Sequence, residues 1–165
     1  MEIREIFKRF QTEEIEYVVV GRQACALWGY IVSTRDIDIM VPGDINNIDR
    51  LIRVLYGLDY RLVWIPVMKI TIKIEDLSDD IINKIKILKF IGNPPIDVII
   101  VRDEKWVGIW KGRCEVDMDG VNVNLMDLDY LIYMKGTSNR KKDIEDAHIL
   151  KKMKEYYRKG NMIEG

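Results

Sequence analysis

The stretch that most constrains this chain is VVVGRQACALWGYIVSTRDIDIMV, residues 18–41. It begins with β-branched apolar residues that are typical of a buried strand, and Gly21 ends that run. A helix is predicted through about Trp28, a polar turn covers residues 29–35, and DIDIMV predicts a second strand. The stretch is therefore a strand, a helix and a strand, with two aspartates on the last.

The chain as a whole predicts one α+β domain over residues 1–160, a mixed β-sheet with helices packed around it, and a flexible tail at 161–165. Its 165 residues are 48% hydrophobic, which suffices for the core of one domain. Apolar spacing predicts helices ending near Thr12 and Gly57, then at 104–111, 128–135 and 140–157. Further strands are predicted at 69–75, 84–92 and 95–101, a helical turn at 76–83, and a hairpin at 113–125.

Composition narrows the class of protein. The net charge is −1 although 32% of the residues are charged, which argues against a protein that coats DNA through a general basic excess. Cys25 and Cys114 match no zinc or redox spacing, and no segment resembles a secretory signal or a membrane span. We expect a cytoplasmic protein, and abundant Ile, Lys and Glu hint at a thermophilic source.

Asp-x-Asp occurs three times, and two of the pairs have structural explanations. Asp117 and Asp119 lead into an Asp-Gly turn, where aspartate is favoured for its turn geometry. Asp127 and Asp129 precede YLIYMK, where acids cap a helix and suit its positive end. Neither pair requires a metal.

The third pair, Asp36 and Asp38, lacks such an explanation. Residues two apart in a strand face the same side, so these carboxylates project together while Ile37 and Ile39 face the core. At a backbone spacing of roughly 7 Å they repel each other unless a cation lies between them. Hard oxygen ligands suit Mg²⁺, which often bridges to substrate phosphates. The pair is a candidate half of a phosphoryl-transfer metal site.

Gly21 is the candidate for the other half, a phosphate cradle. A glycine between a buried strand and a helix lets the backbone approach a ligand closely, and free N–H groups there attract an anion. The alternative is a plain strand-to-helix turn, because single glycines are common at such positions.

The same residues resemble the signature of the nucleotidyltransferase superfamily, which has the DNA polymerase β-like fold. That signature is an apolar strand, a turn of two small residues, a helix, and Asp-x-Asp on the next strand. With Ala24, Gly29 and Thr34 ahead of the two acids, the stretch is most similar to small bacterial and archaeal members related to abortive-infection toxin nucleotidyltransferases. The resemblance runs from about Tyr17 to Leu150.

The resemblance implies a third carboxylate on a later strand, which PIDVII supplies as Asp97. It implies that Asp36, Asp38 and Asp97 bind Mg²⁺, two ions in number, with Mn²⁺ as a substitute. The implied reaction is in-line attack by an acceptor hydroxyl on the α-phosphate of an NTP, with release of pyrophosphate.

The resemblance also implies nucleotide contacts, by Gly21, Arg22, Thr34, Lys135 and Arg140. The last two lie in YMKGTSNRKKDIEDAHIL, which matches the basic residues and the Lys-Asp pair that lead into a final helix in this family. The alternative is that NRKK is a solvated helix start and that Lys142 and Asp143 pair on the surface. Asp146 completes the matched segment.

One departure concerns Arg22, which stands where the family has a second small residue. Its guanidinium could bind phosphate oxygens, or it could fill the space that a triphosphate needs. Val32 is a second departure, at a position where close relatives often carry arginine.

Other conspicuous side chains are interpreted structurally. His148 is the single histidine and is predicted to be packed or exposed rather than a ligand. Trp64, Trp106 and Trp110 are predicted to lie in the core or an interface, and Cys25 to pack as a small hydrophobe.

The leading hypothesis is an enzyme, a Mg²⁺-dependent nucleotidyltransferase. A catalytically silent nucleotide-binding or partner-binding module, antitoxin-like in role, is the alternative. A metal-dependent nuclease shares the acids but gives no reason for the Gly21 turn. The acceptor could be a tRNA end, a protein side chain or a small molecule such as an antibiotic. The NTP, ATP or another, stays open, as does a partner protein or a homodimer.

Overall fold

The computed structural model describes residues 2–30, 33–64, 70–71 and 79–159. Seven helices form within these ranges: α1 Ile3–Thr12, α2 Gly21–Leu27, α3 Ile45–Gly57, α4 Asp79–Lys84, α5 Asp103–Gly112, α6 Leu128–Gly136 and α7 Lys141–Arg158. The same ranges contain eight strands: β1 Val18–Val20, β2 Ile37–Pro42, β3 Arg61–Trp64, β4 Ile70–Thr71, β5 Ile87–Ile91, β6 Ile96–Val101, β7 Cys114–Met118 and β8 Val121–Leu125. The predicted tail at 161–165 and most of the predicted strand at 69–75 lie outside the described residues.

The strands form one mixed sheet in the order β4-β3-β5-β6-β2-β1-β8-β7. Two of the pairings are parallel, β2 with β6 and β1 with β8, and the others are antiparallel. The predicted α+β class with a mixed sheet is therefore confirmed. The predicted strand–helix–strand of residues 18–41 corresponds to β1, α2 and β2. Its two strands are neighbours in the interior of the sheet, and α2 connects them.

The face of the sheet opposite the acids is packed into the core. Alternate residues of β2 and β6, including Ile37, Ile39 and Val98, are fully buried there. The apolar face of α3 is buried as well, and this helix begins where the Asp44 carboxylate accepts a hydrogen bond from the Asn46 N–H. None of the helices in the described part of the chain is long and apolar enough to cross a lipid bilayer.

The two structurally explained Asp-x-Asp pairs are as predicted. Asp119 and Gly120 both have positive φ in the β7–β8 turn, and the Asp117 carboxylate accepts the Gly120 N–H at 3.1 Å. The Asp127 carboxylate accepts the Tyr130 N–H at 3.1 Å and caps α6. Trp106 is buried and stacks on Trp110.

The last helix differs from its prediction. The helical spacing of Ile144, Ala147 and Leu150 predicts that they share one buried face. Ala147 and Leu150 are buried, but Ile144 is 40% exposed. Asp146 is buried instead, and its carboxylate pairs with Arg22 of α2 and Lys135 of α6. Helical spacing locates an apolar face, but it does not show an ion pair that replaces part of that face.

Candidate active site

The candidate site begins with acids on neighbouring strands. β2 and β6 run parallel with Asp38 opposite Asp97, so both side chains lie on the same face of the sheet. Asp36 precedes β2 by one residue. The structure thus brings Asp38 and Asp97 side by side and places Asp36 at the entrance to the same strand.

The electrostatics of Asp38 show that these acids act on one another. Asp38 is half-buried, and burial raises the pKa of its carboxyl to about 6, with further increases from the charges of Asp97 and Asp36. The more distant charges of Lys135 and Lys89 lower this pKa and only partly offset the rise. The site is therefore an anionic cluster that a bound cation would stabilise.

Gly21 touches the acid cluster directly. Its φ is +66°, and a Cβ built at this position would overlap Oδ2 of Asp38 and lie 3.2 Å from the Asp38 Cβ and Cγ. Glycine is required here because any side chain would both strain the backbone and displace the carboxylate. The plain-turn interpretation of Gly21 is thus incomplete, since the turn also makes room for Asp38.

Arg22 forms part of the wall beside this turn. Its guanidinium donates to the Ser33 carbonyl at 3.2 Å and pairs with Asp146 Oδ1 at 3.4 Å. The Asp146 side chain is 2% exposed, whereas that of Arg22 is 25% exposed. These contacts tie α2 to α7 and hold the guanidinium at the edge of a cavity.

Lys135 lies deeper in the same charged network. Its ammonium donates at 3.1 Å to both Asp143 and Asp146, and Asp143 also accepts the Ser138 hydroxyl at 2.7 Å. Burial alone would lower the pKa of Lys135, but its hydrogen bonds to the two carboxylates outweigh that effect and raise it. Two cations face two acids, so the network joining α2, α6 and α7 is close to neutral.

This network changes the interpretation of one predicted pair. The alternative interpretation, in which Asp143 pairs with Lys142 on the surface, is wrong: Asp143 pairs with Lys135, and its carboxylate is half-buried. The Lys142 side chain is exposed and lines the cavity. The reason is geometric, because adjacent residues of a helix point in different directions.

A cavity of about 670 Å³ opens between the acids and the charged network. It brings together the predicted nucleotide-binding residues Gly21, Arg22, Thr34, Lys135 and Arg140 with Arg35, Asp36, Asp38, Ser138, Lys142 and Asp143. Thr34 donates its hydroxyl to the Asp36 carbonyl at 3.0 Å, so it also shapes the chain that leads into β2. A volume of this size is typical of small-ligand sites.

Lys89 is a residue of the site that sequence reasoning missed. Lys89 is on β5, opposite Asp97 of β6, and its ammonium is 3.2 Å from Asp97 Oδ2. Its exposed position in an alternating strand is visible in the sequence, but the register that places it beside Asp97 is not. His148, as predicted, is an exposed side chain.

The donor set suits Mg²⁺ in kind, since clustered carboxylate oxygens are its preferred protein ligands. Within residues 2–30, 33–64, 70–71 and 79–159, no three acidic, histidine or cysteine side chains are arranged as a ready metal site. The Asp97 carboxylate is turned to Lys89. The pKa of Asp38 is raised by burial and then by its two acidic neighbours. A cation bound beside these carboxylates would relieve that repulsion, so the donor set fits a divalent cation.

Two solved structures that are similar to this chain are described as nucleotidyltransferase-like or hold an adenylylated compound. An antigenic nucleotidyltransferase-like protein from Paracoccidioides brasiliensis matches with a TM-score of 0.58 and 15% identity, over 92% of this chain and 72% of that one. ANT(2″)-Ia in complex with adenylyl-2″-tobramycin matches with a TM-score of 0.55 and 15% identity, over 95% of both chains. No protein-family model matches the sequence, and no curated protein does. The chain has a nucleotidyltransferase-like fold.

Proposed function

We propose that this protein is a Mg²⁺-dependent nucleotidyltransferase that moves a nucleoside monophosphate from an NTP to an acceptor hydroxyl. The observation that carries the proposal is the pairing of Asp38 with Asp97 in one row of the sheet. Asp38 lines a cavity that also has exposed cations, and Asp97 lies beside Asp38 but is not one of the lining residues. Fold similarity at 15% identity supports the architecture alone, so the chemistry is argued from these residues.

The reaction assigns different parts of the site to different bonds. The acceptor oxygen attacks the α-phosphorus, the bond from that phosphorus to the bridging oxygen breaks, and pyrophosphate leaves with the electron pair. Asp97 lies beside the attacking hydroxyl and receives its proton. Asp36, Asp38 and Asp97 would hold Mg²⁺, which would supply neutralisation of the phosphate charge when bound.

The basic side of the cavity fits a triphosphate. Arg35, Arg140 and Lys142 line it with exposed or half-exposed side chains. Lys135, in contrast, is already engaged by two carboxylates, so its part is to fix α6 against α7 beneath the phosphates. Arg140 and Lys142 are therefore the stronger candidates for direct phosphate contact.

A catalytically silent nucleotide-binding or partner-binding module is the second candidate. Two contacts favour it. Arg22 lies in the cavity wall, in space that a triphosphate would need, and Lys89 donates a hydrogen bond to the Asp97 carboxylate, which would otherwise be open to a metal ion. Such a module would bind an NTP and transfer nothing.

Incubation with α-³²P-labelled ATP, GTP, CTP or UTP separates the two functions. The acceptors offered are total RNA, the protein itself and tobramycin, each with Mg²⁺. Wild-type protein should label one acceptor, Asp97→Asn should lose that labelling while it still unfolds at the wild-type temperature, and Glu155→Gln, which changes an exposed acid, should keep it. NTP binding without labelling of any acceptor would favour the silent module.

A further inference from the structure

Lys89 is one of three charged residues that lie in a row across the sheet. It lies opposite Val63 of β3 on one side and Asp97 of β6 on the other, and Asp97 in turn lies opposite Asp38 of β2. The row continues to Val20 of β1. Because cross-strand partners share a face, the ammonium and the two carboxylates are on one side of the sheet.

The contact between Lys89 and Asp97 is well formed and also accessible. The ammonium is 3.2 Å from Asp97 Oδ2, with the lysine side chain 52% exposed and the aspartate 32% exposed. Exposed ion pairs of this kind contribute little to stability, and a lysine stem is flexible. The pair can open without disturbing the fold.

The rest of the site explains why a cation is needed at this position. Asp36, Asp38 and Asp97 place three negative charges close together, and the charge of Lys135, which also lowers the pKa of Asp38, is shared with Asp143 and Asp146. Of the described cations, Lys89 is the one that contacts the Asp97 carboxylate. The Lys89 ammonium neutralises the Asp97 carboxylate, as a divalent cation bound to the same oxygen would.

We propose that Lys89 is an exchangeable counter-ion, which neutralises Asp97 in the metal-free protein and is displaced when a divalent cation binds that carboxylate. This inference rests on the proposed function, because it takes Asp97 as a metal ligand. Lys89 is thus a positioning residue, because it keeps the Asp97 carboxylate in place in the metal-free protein. It also competes with the divalent cation for that carboxylate, so a higher concentration of the cation is needed to fill the site.

The test is the affinity of the nucleotide-free protein for Mn²⁺, measured by the electron paramagnetic resonance signal of free Mn²⁺. Lys89→Met should tighten binding about fivefold to tenfold, the effect of removing one positive charge about 5 Å from the ion in a largely hydrated site. Lys89→Arg should restore a value close to that of the wild type. No catalytic turnover enters this measurement.

Lys86→Met is the matched control. Lys86 is exposed and lies three residues before Lys89, about 10 Å away along the chain. Lys86→Met therefore changes the net charge by the same amount as Lys89→Met, but at a distance where salt screens most of the effect. Its affinity for Mn²⁺ should change less than twofold. In an Asp97→Asn background, Lys89→Met should tighten Mn²⁺ binding less than it does in the wild type, because competition for the shared carboxylate is gone and only the repulsion between the Lys89 charge and the ion remains.

Three outcomes would overturn the exchange. Equal Mn²⁺ affinity in the wild type and in Lys89→Met would overturn it. If Asp97→Asn nevertheless weakens Mn²⁺ binding in both of these proteins, the metal site of the proposed function still stands. Equal tightening by Lys86→Met would reduce the effect to general charge. A lack of Mn²⁺ binding in every protein would also remove the exchange, and the labelling experiment then decides the proposed function separately.

Discussion

Replacing Asp38 by asparagine should stabilise the metal-free protein at neutral pH. The folded protein holds the pKa of this carboxyl at about 6 instead of 3.8, through burial first and then through Asp97 and Asp36. A raised carboxyl pKa means that the folded state binds a proton more tightly than the unfolded chain does. The cost of this group to folding therefore begins as the pH rises through the unfolded pKa of 3.8, and it is fully present above the folded pKa of about 6.

The magnitude follows from the size of that shift. About two pKa units correspond to about 3 kcal/mol at pH 7, and the partial exposure of Asp38 reduces the expected gain to between about 1 and 3 kcal/mol. At pH 4 the folded carboxyl is protonated and the gain should fall to about 0.5 kcal/mol or less. Asparagine has nearly the same shape, so packing changes little.

The assay is urea unfolding in EDTA at pH 7 and at pH 4, with Glu155→Gln as a control at an exposed acid. The free energy of unfolding of Asp38→Asn should exceed that of the wild type at pH 7, and the difference should shrink at pH 4. A loss of stability at pH 7, or a gain that is the same at both pH values, would refute the argument from burial and repulsion.

Three further substitutions test other parts of the site. Lys135→Met should cost about 3 kcal/mol in urea unfolding, because it removes a cation from the buried Asp146, and a cost below 1 kcal/mol would count against the network. Gly21→Ala should lower the unfolding free energy by more than about 1 to 2 kcal/mol, whereas Gly108→Ala, where a Cβ meets nothing within 4 Å, should not lower it. Arg22→Ala should weaken NTP binding by about 1 to 3 kcal/mol, and tighter binding by Arg22→Ser would show that the guanidinium blocks the cavity instead.

The sequence predicts the acids of the site because their pattern is local. Alternation in a strand places Asp36 and Asp38 together, and turn and cap geometry remove the other two Asp-x-Asp pairs from consideration. The register of β2 against β6 then puts Asp38 beside Asp97, which agrees with the acid that the family resemblance selects. Local patterns and a resemblance thus locate the acids before any tertiary contact is known.

The cations of the site were harder to predict, because their partners are distant in the chain. Lys135 was expected to contact phosphate, but α7 brings Asp143 and Asp146 to its ammonium. Lys89 reaches Asp97 only because β5 and β6 pair in one particular register. Neither contact has a signature in local spacing, since each depends on how separate elements pack.

The most direct test of the account is calorimetric titration of the protein with ATP and with GTP, in Mg²⁺ and in EDTA. The acids repel a triphosphate unless a cation lies between them, so at least one nucleotide should bind with Mg²⁺ and show little binding with EDTA. Equal affinity in both conditions would contradict a site in which Asp36, Asp38 and Asp97 hold the metal that the nucleotide requires.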